Sequence, residues 1–405
     1  MDAPTSGLVA PGFEAVAELF GRYLAEDPEY SAQLAAYHRG VKVLDLSGGP
    51  HIRPDSVTGV FSCSKGMAGL VIALLVQDGL LDLDAEVVKY WPEFGAQGKS
   101  GITVVQLLSH QAGLLGVEGG LSLEECNHSE LAAAKLAALP PLWKPGAAFG
   151  YHALTIGVFM EELCRRITGS TLQEIFEARI RAVTGADFFL GLPESEEPRY
   201  ATLRWVSDPE RPWTDPAGHF GLAANAVTAE ILDLPNIREV RAAGLSSVAG
   251  VANAEGMARV YAAALTGLKG DAGVPDGGVP AAGAGAAGAG RGAGRPAVAP
   301  LLSEETIRAV SAEQVFGIDR VFGDTSCFAT VFMKSHARMP FGSYRAFGHD
   351  GAGGALGYAD PVYGLGFGYV PQQAEPGGIG CRNFELSAAV RKAVSETGRV
   401  MEANG

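Results

Sequence analysis

Phe61-Ser62-Cys63-Ser64-Lys65-Gly66 stands between a short β-type run, Val57 to Phe61, and a long apolar segment, Met67 to Leu81, interrupted mainly by Gln77 and Asp78. That is the pattern of a strand or loop entering a buried helix whose first turn carries Ser62. Helical spacing puts Lys65 on the same face as Ser62, with Cβ atoms about 5–6 Å apart. A hydroxyl needs a base to act as a nucleophile at neutral pH. A lysine can be that base only where burial or neighbouring cations lower its pKa. The apolar helix supplies the burial, and its N-terminus leaves backbone N–H groups able to hold an oxyanion. A chance Ser-x-x-Lys is usually a serine at a helix start with its lysine reaching outward to water. An outward lysine fits poorly beside so apolar a run, and no other serine in the chain has a lysine three residues on.

Composition narrows the class of protein. The 405 residues are 47% hydrophobic and 19% charged, enough for two substantial cores or one large domain with an insertion. A net charge of −14 and a pI near 5.1 argue against nucleic acid or an anionic membrane as partner. Met1 to Gly12 lacks the charged start and apolar run of a signal peptide, and the Ser62 helix is too short to span a bilayer. Cys63, Cys126, Cys164, Cys327 and Cys381 are odd in number, scattered and without a C-x-x-C, which suits free thiols in a reducing cytoplasm. A cytoplasmic location is therefore expected.

Along the chain, Phe13 to Ala25 is helical in period, and Ser31–His38 and Val41–Leu46 read as a hairpin turning at Arg39-Gly40. Leu83–Phe94, Thr103–Ser109, Leu123–Leu139, Ala153–Thr168 and Thr171–Ala182 make the middle mostly helical. Glu194–Leu232 is a long aromatic loop holding Trp205, Trp213, His219 and Phe220, and is expected to wall a cleft. After the helix Ala254–Thr266, the low-complexity Gly/Ala stretch 267–300 reads as a flexible surface excursion. It has no G-K-[ST] and no flanking strand, so it is not a phosphate loop. Leu301–Ser311 is a helix with Ser303 as N-cap. Phe328–Lys334, Tyr344–Gly348, Gly354–Asp360 and Gly364–Pro371 read as strands, and Phe384–Thr397 as a closing helix. The expected fold is α+β. Residues 1–82 and 233–405 build an antiparallel sheet flanked by helices, and 83–232 form an inserted all-helical domain.

A Ser–Lys pair still needs a proton shuttle and oxyanion donors. In Phe149-Gly150-Tyr151-His152-Ala153 a glycine turn presents Tyr151 before a helix, with spacing that fits a packing residue as well as a functional one. In Phe347-Gly348-His349-Asp350-Gly351-Ala352-Gly353-Gly354, glycines allow another backbone or a ligand to approach closely. His349 there reads as a turn histidine or as a cleft residue. His110 reads as a structural histidine at a helix end. His152, Phe220, His349 and Gly351 are the expected substrate contacts. No G-x-S-x-G, H-E-x-x-H or dinucleotide fingerprint occurs, so neither a metal nor a nucleotide cofactor is indicated.

With these stretches together, the chain resembles the serine β-lactamase and penicillin-binding-protein superfamily, in the branch of class C β-lactamases and family VIII carboxylesterases. Ser62-x-x-Lys65 resembles its S-x-x-K, Tyr151 the tyrosine of its Y-x-N, and His349-Asp350-Gly351 stands in the place of its K-T-G. Leu107–Leu114 and Trp143-Lys144-Pro145-Gly146 are similar to the esterase-like members, while 267–300 has no counterpart. The resemblance implies that Ser62 forms an acyl-enzyme and that Lys65 and Tyr151 share general-base and general-acid duty. It also implies an oxyanion hole made by the backbone N–H groups of Ser62 and Ala352. Two departures matter: Ala153 replaces the Asn of Y-x-N, and a neutral His349 with Asp350 beside it replaces the Lys that anchors a β-lactam carboxylate. A neutral ester suits such a site. The expected activity is hydrolysis of small to medium esters, with acyl transfer to an amine or alcohol acceptor as the alternative. Weak lactam hydrolysis and a non-catalytic scaffold are the remaining readings.

Overall fold

The computed structural model describes residues 5–206, 215, 218–224, 226–270, 279–280, 296–374 and 380–403. The Gly/Ala stretch therefore falls largely outside the described residues, as does Trp213. The frame is a single sheet in which every neighbouring pair runs antiparallel. In space its strands are Val279–Pro280, Thr5–Val9, Val41–Gly48, Ala32–His38, Leu365–Pro371, Leu356–Asp360, Phe347–Asp350, Met333–Lys334, Thr325–Phe328 and Val315–Ile318. N- and C-terminal segments meet where Ala32–His38 pairs with Leu365–Pro371, Ala36 opposite Phe367.

Alternation along the strands sends side chains into two cores. On one face Leu34, Ala36, Tyr358 and Phe367 pack with Val16, Phe20 and Leu24 of helix Glu14–Glu26 and with Leu386 and Val390 of helix Cys381–Ala403. On the other, Ala35, Tyr37 and Ala359 meet Met257 and Tyr261 of helix Ala254–Thr266 and the helix Cys63–Gln77. Glycine makes the close approach possible. A Cβ on Gly366 or Gly368 would come within 2.5 Å of Ala258 O or 2.3 Å of Ala254 O, so Ala254–Thr266 lies directly on the strand.

Residues 83–232 add the helices Val104–Leu108, Leu123–Asn127, Ser129–Ala138, Thr155–Thr168 and Leu172–Phe176. The segment also contributes two-residue strands, Phe188–Phe189 and Arg204–Trp205, the first pairing with Val251–Ala252. Its core is continuous with that of the sheet: Phe94, Leu107 and Phe159 share one apolar cluster with Leu70, Met257 and Tyr261. The expected domain boundary at 82/83 thus falls inside a shared core. Among the described residues no helix is long and apolar enough to cross a membrane.

Two strand expectations are corrected. Phe328–Lys334 is a hairpin, Thr325–Phe328 turning back into Met333–Lys334, with Phe328 opposite Met333. Val331 at the turn has φ +70°, a rare conformation for a β-branched residue. The strand expected at Tyr344–Gly348 starts at Phe347 and runs to Asp350. Three further strands, Thr5–Val9, Val279–Pro280 and Val315–Ile318, add to the sheet.

Candidate active site

Helix Cys63–Gln77 explains why Lys65 is buried. Every residue from Cys63 to Leu75 is buried, so the helix has no wet face onto which the ammonium could emerge. Lys65 is fully buried, and its Nζ donates to Ser62 Oγ at 2.9 Å and to the Ser247 carbonyl at 2.8 Å. Burial brings its pKa down from 10.5 to about 7, against an opposing pull from the Asp350 charge. With one N–H spent on Ser247, the neutral amine can take the Ser62 proton along that same 2.9 Å line.

Ser62 is the N-cap of that helix and follows a strained residue. Phe61 has φ +44°, a left-handed conformation that costs a non-glycine residue roughly 1–3 kcal/mol and clusters at functional sites. The turn is tied down by the Ser64 hydroxyl, which donates to Phe61 O and accepts from Gly250 N–H at 2.8 Å. The Phe61 ring meets Trp205 edge-on at 5.5 Å.

Tyr151 also reaches Ser62, its hydroxyl donating to Ser62 Oγ at 2.9 Å, with Lys65 Nζ 5.0 Å from its ring. Its ring is stacked between Phe322, at 5.3 Å, and Phe328, at 5.8 Å. Its backbone N–H is held by both oxygens of Asp319 at 3.2 and 3.1 Å, and the same carboxylate accepts from Val321 and Phe322 N–H. Burial, then the Asp350 charge, drives the phenol pKa well above its ordinary value, so the hydroxyl is protonated at neutral pH.

The strand end at Asp350 closes onto this turn. A Cβ on Gly351 would lie 2.2 Å from Val60 O, so only glycine lets the next residue, Ala352, reach the cleft that Ser62 lines. Neither the Ser62 nor the Ala352 N–H donates to an acceptor among the described residues. The cleft measures about 460 Å³ and is walled mainly by apolar and aromatic side chains, Phe61, Ile231, Phe322 and Met339 among them. Phe220 lines it too, about 40% exposed.

The histidines expected there, His152 and His349, do not. His152 was expected to contact substrate, yet it is buried with both ring nitrogens committed: Nε2 accepts from Leu114 N–H at 3.1 Å and Nδ1 faces Gly150 O at 2.7 Å. Burial pushes its pKa down to about 4. His110, at φ +66°, accepts His152 N–H on Nδ1, a structural role of a different kind from the helix-end cap expected. The His349 side chain is also fully buried and not part of the cleft wall. Its Nδ1 faces Asp350 O at 2.7 Å, and strand alternation turns Asp350, not His349, toward the cleft. Gly351 contributes through its missing side chain, its N–H being bound to Ala355 O. Asp319 and the Ser247 carbonyl carry no motif. The Asp350 side chain was legible as the neighbour of His349.

Comparison with known proteins gives the family and the fold. The family profile described as Beta-lactamase matches residues 16–392. EstA from Arthrobacter nitroguajacolicus superposes with a TM-score of 0.89 at 76% identity, over 97% of this chain and 99% of that one. A structure described as a family VIII carboxylesterase gives a TM-score of 0.81 at 30% identity, over 96% and 99%. The esterase/beta-lactamase LipL of Mycobacterium tuberculosis is 30% identical over 379 residues, 90% of this chain and 82% of LipL. A Ser–Lys–Tyr cluster at the head of a buried helix, set against the end of an inner strand of an antiparallel sheet, and a profile match spanning nearly the whole chain place this protein in the beta-lactamase family.

Proposed function

We propose that the protein is a serine carboxylesterase that works through an acyl-enzyme on Ser62. The observation that carries this reading is the convergence of an amine and a phenol on one hydroxyl, each at 2.9 Å. Ser62 Oγ attacks the ester carbonyl while its proton passes to neutral Lys65. The tetrahedral oxyanion lies between the N–H groups of Ser62 and Ala352. Collapse breaks the carbonyl–alkoxide bond, and the alcohol leaves with the Tyr151 proton, which the Lys65 ammonium replaces. Water then adds to the acyl group and gives its proton to the Lys65–Tyr151 pair, and Ser62 departs reprotonated. The names of the similar proteins EstA and LipL and of the family VIII carboxylesterase support the esterase assignment. The largely apolar cleft supports small to medium acyl groups.

Acyl transfer uses the same intermediate, with an amine or alcohol in place of water. Lactam hydrolysis is disfavoured, because a lactam carboxylate would meet the Asp350 carboxylate in the cleft and find a buried imidazole, His349, at the position of the lactamases' lysine. The unpaired, buried thiols of Cys63, Cys126, Cys164 and Cys327 suit a reducing cytoplasm. The test is turnover of a nitrophenyl butyrate with and without excess primary amine. Free acid as the main product supports the hydrolase, amide the transferase, and no turnover removes both.

A further inference from the structure

One carboxylate in the cleft neither forms a bond nor carries a proton in the ester chemistry proposed above. Asp350 lines the cleft with Ser62, its side chain 17% exposed, and its charge acts on both Lys65 and Tyr151. No N–H or O–H among the described residues hydrogen-bonds to its carboxylate. The nearest candidate, His349 Nδ1 at 3.4 Å, already donates to Asp350 O at 2.7 Å. The other cations nearby are spoken for. Lys65 is buried against Ser62 and Ser247, and Arg338, on the cleft wall, pairs with Asp324 at 3.0 Å. A largely buried carboxylate without a counter-ion is costly, and an incoming cation removes that cost. On the same cleft, the rings of Phe220 and Phe322 stand 6.4 Å apart, about 40% and 42% exposed, offering faces to an alkylated ammonium.

From this unpartnered carboxylate and its aromatic wall we infer that the cleft selects esters bearing an ammonium group and rejects esters bearing a carboxylate. The inference rests on the esterase reading of Ser62.

The experiment measures kcat/KM in wild type and Asp350→Asn for two isosteric pairs. Acetylcholine and neohexyl acetate carry the difference on the alcohol side, and the ethyl esters of trimethylglycine and tert-butylacetic acid carry it on the acyl side. Dividing the wild-type cation-to-neutral ratio by that of D350N cancels intrinsic ester reactivity and any change in the general base. A quotient of about ten or more in at least one pair is expected, the effect of one charge-assisted contact. Monomethyl succinate should gain in D350N relative to neohexyl acetate. Quotients within about twofold of unity for both pairs, with neutral esters turned over normally, overturn the cation preference and leave the esterase standing. Failure of wild type on every ester overturns both. If D350N does not fold, wild type alone decides: choline should inhibit neohexyl acetate turnover about tenfold more strongly than neohexyl alcohol does, and equal inhibition overturns the inference.

Discussion

Replacing Tyr151 by Phe removes one oxygen and leaves the rest of the site in place. The ring keeps its stacking on Phe322 and Phe328 and its contact with His110 at 5.2 Å, and the backbone N–H stays bound to Asp319. What is lost is the phenol proton 2.9 Å from Ser62 Oγ. In the ground state this is one hydrogen bond, worth about 1 kcal/mol, so the melting temperature should move by only a few degrees. In the transition state the phenol is the acid that protonates the leaving alkoxide, a role worth about 10²–10⁴-fold, or ~2.7–5.4 kcal/mol. The two magnitudes separate catalysis from folding. The assay is steady-state hydrolysis of a nitrophenyl ester and of an alkyl ester, beside thermal unfolding. The alkyl ester should suffer more, because nitrophenolate leaves without an acid while an alkoxide does not. Alkyl-ester rates within about threefold of wild type would take Tyr151 out of the mechanism.

Other consequences follow from the electrostatics and the backbone. Since the base is the neutral Lys65 amine with a pKa about 7, kcat/KM should rise with pH through that value. Removing the Asp350 charge, which favours the ammonium, should move this rise to lower pH in D350N, and an unmoved limb would count against Lys65 as the titrating group. Lys65→Met should abolish turnover without unfolding the protein. The folded-state pKa lies below the unfolded value of 10.5, so protonating Lys65 opposes folding. That penalty is full below about pH 7 and fades as pH climbs toward 10.5. Wild type should therefore gain stability relative to K65M between pH 7 and 9.5 in denaturant titrations, and parallel curves would contradict the burial argument. Gly351→Ala sets a Cβ 2.2 Å from Val60 O and pushes the Ala352 N–H away from Ser62. Turnover should fall about 10²–10³-fold, the effect of losing one oxyanion donor, and a fully active variant would relocate the oxyanion hole.

How much of this was readable beforehand depended on whether a role belongs to a side chain in a regular pattern. Ser62 and Lys65 were legible because helical spacing fixes them to one face of an apolar helix. Tyr151 was legible as part of a motif and not from periodicity, since it precedes the helix Thr155–Thr168 in irregular chain. His152 and His349 have reactive side chains, but backbone groups take the ring nitrogens of one and strand alternation buries the other. Conversely, Ser247 acts through its carbonyl and Asp319 through bonds to backbone N–H groups, and no residue type announces either. At the sheet edge, Val315–Ile318 leaves Phe316 and Ile318 at 61% and 64% exposure, so the hydrophobic alternation that marks inner strands is missing.

Covalent capture of the intermediate bears most directly on the account. Intact protein treated briefly with a fluorophosphonate, or quenched during turnover of a slow ester, should gain one adduct mass. Peptide mapping should assign it to Ser62, and Ser62→Ala should gain none. An adduct on another residue, or an unmodified wild-type protein that still hydrolyses the ester, would contradict a nucleophilic Ser62 held between Lys65 and Tyr151.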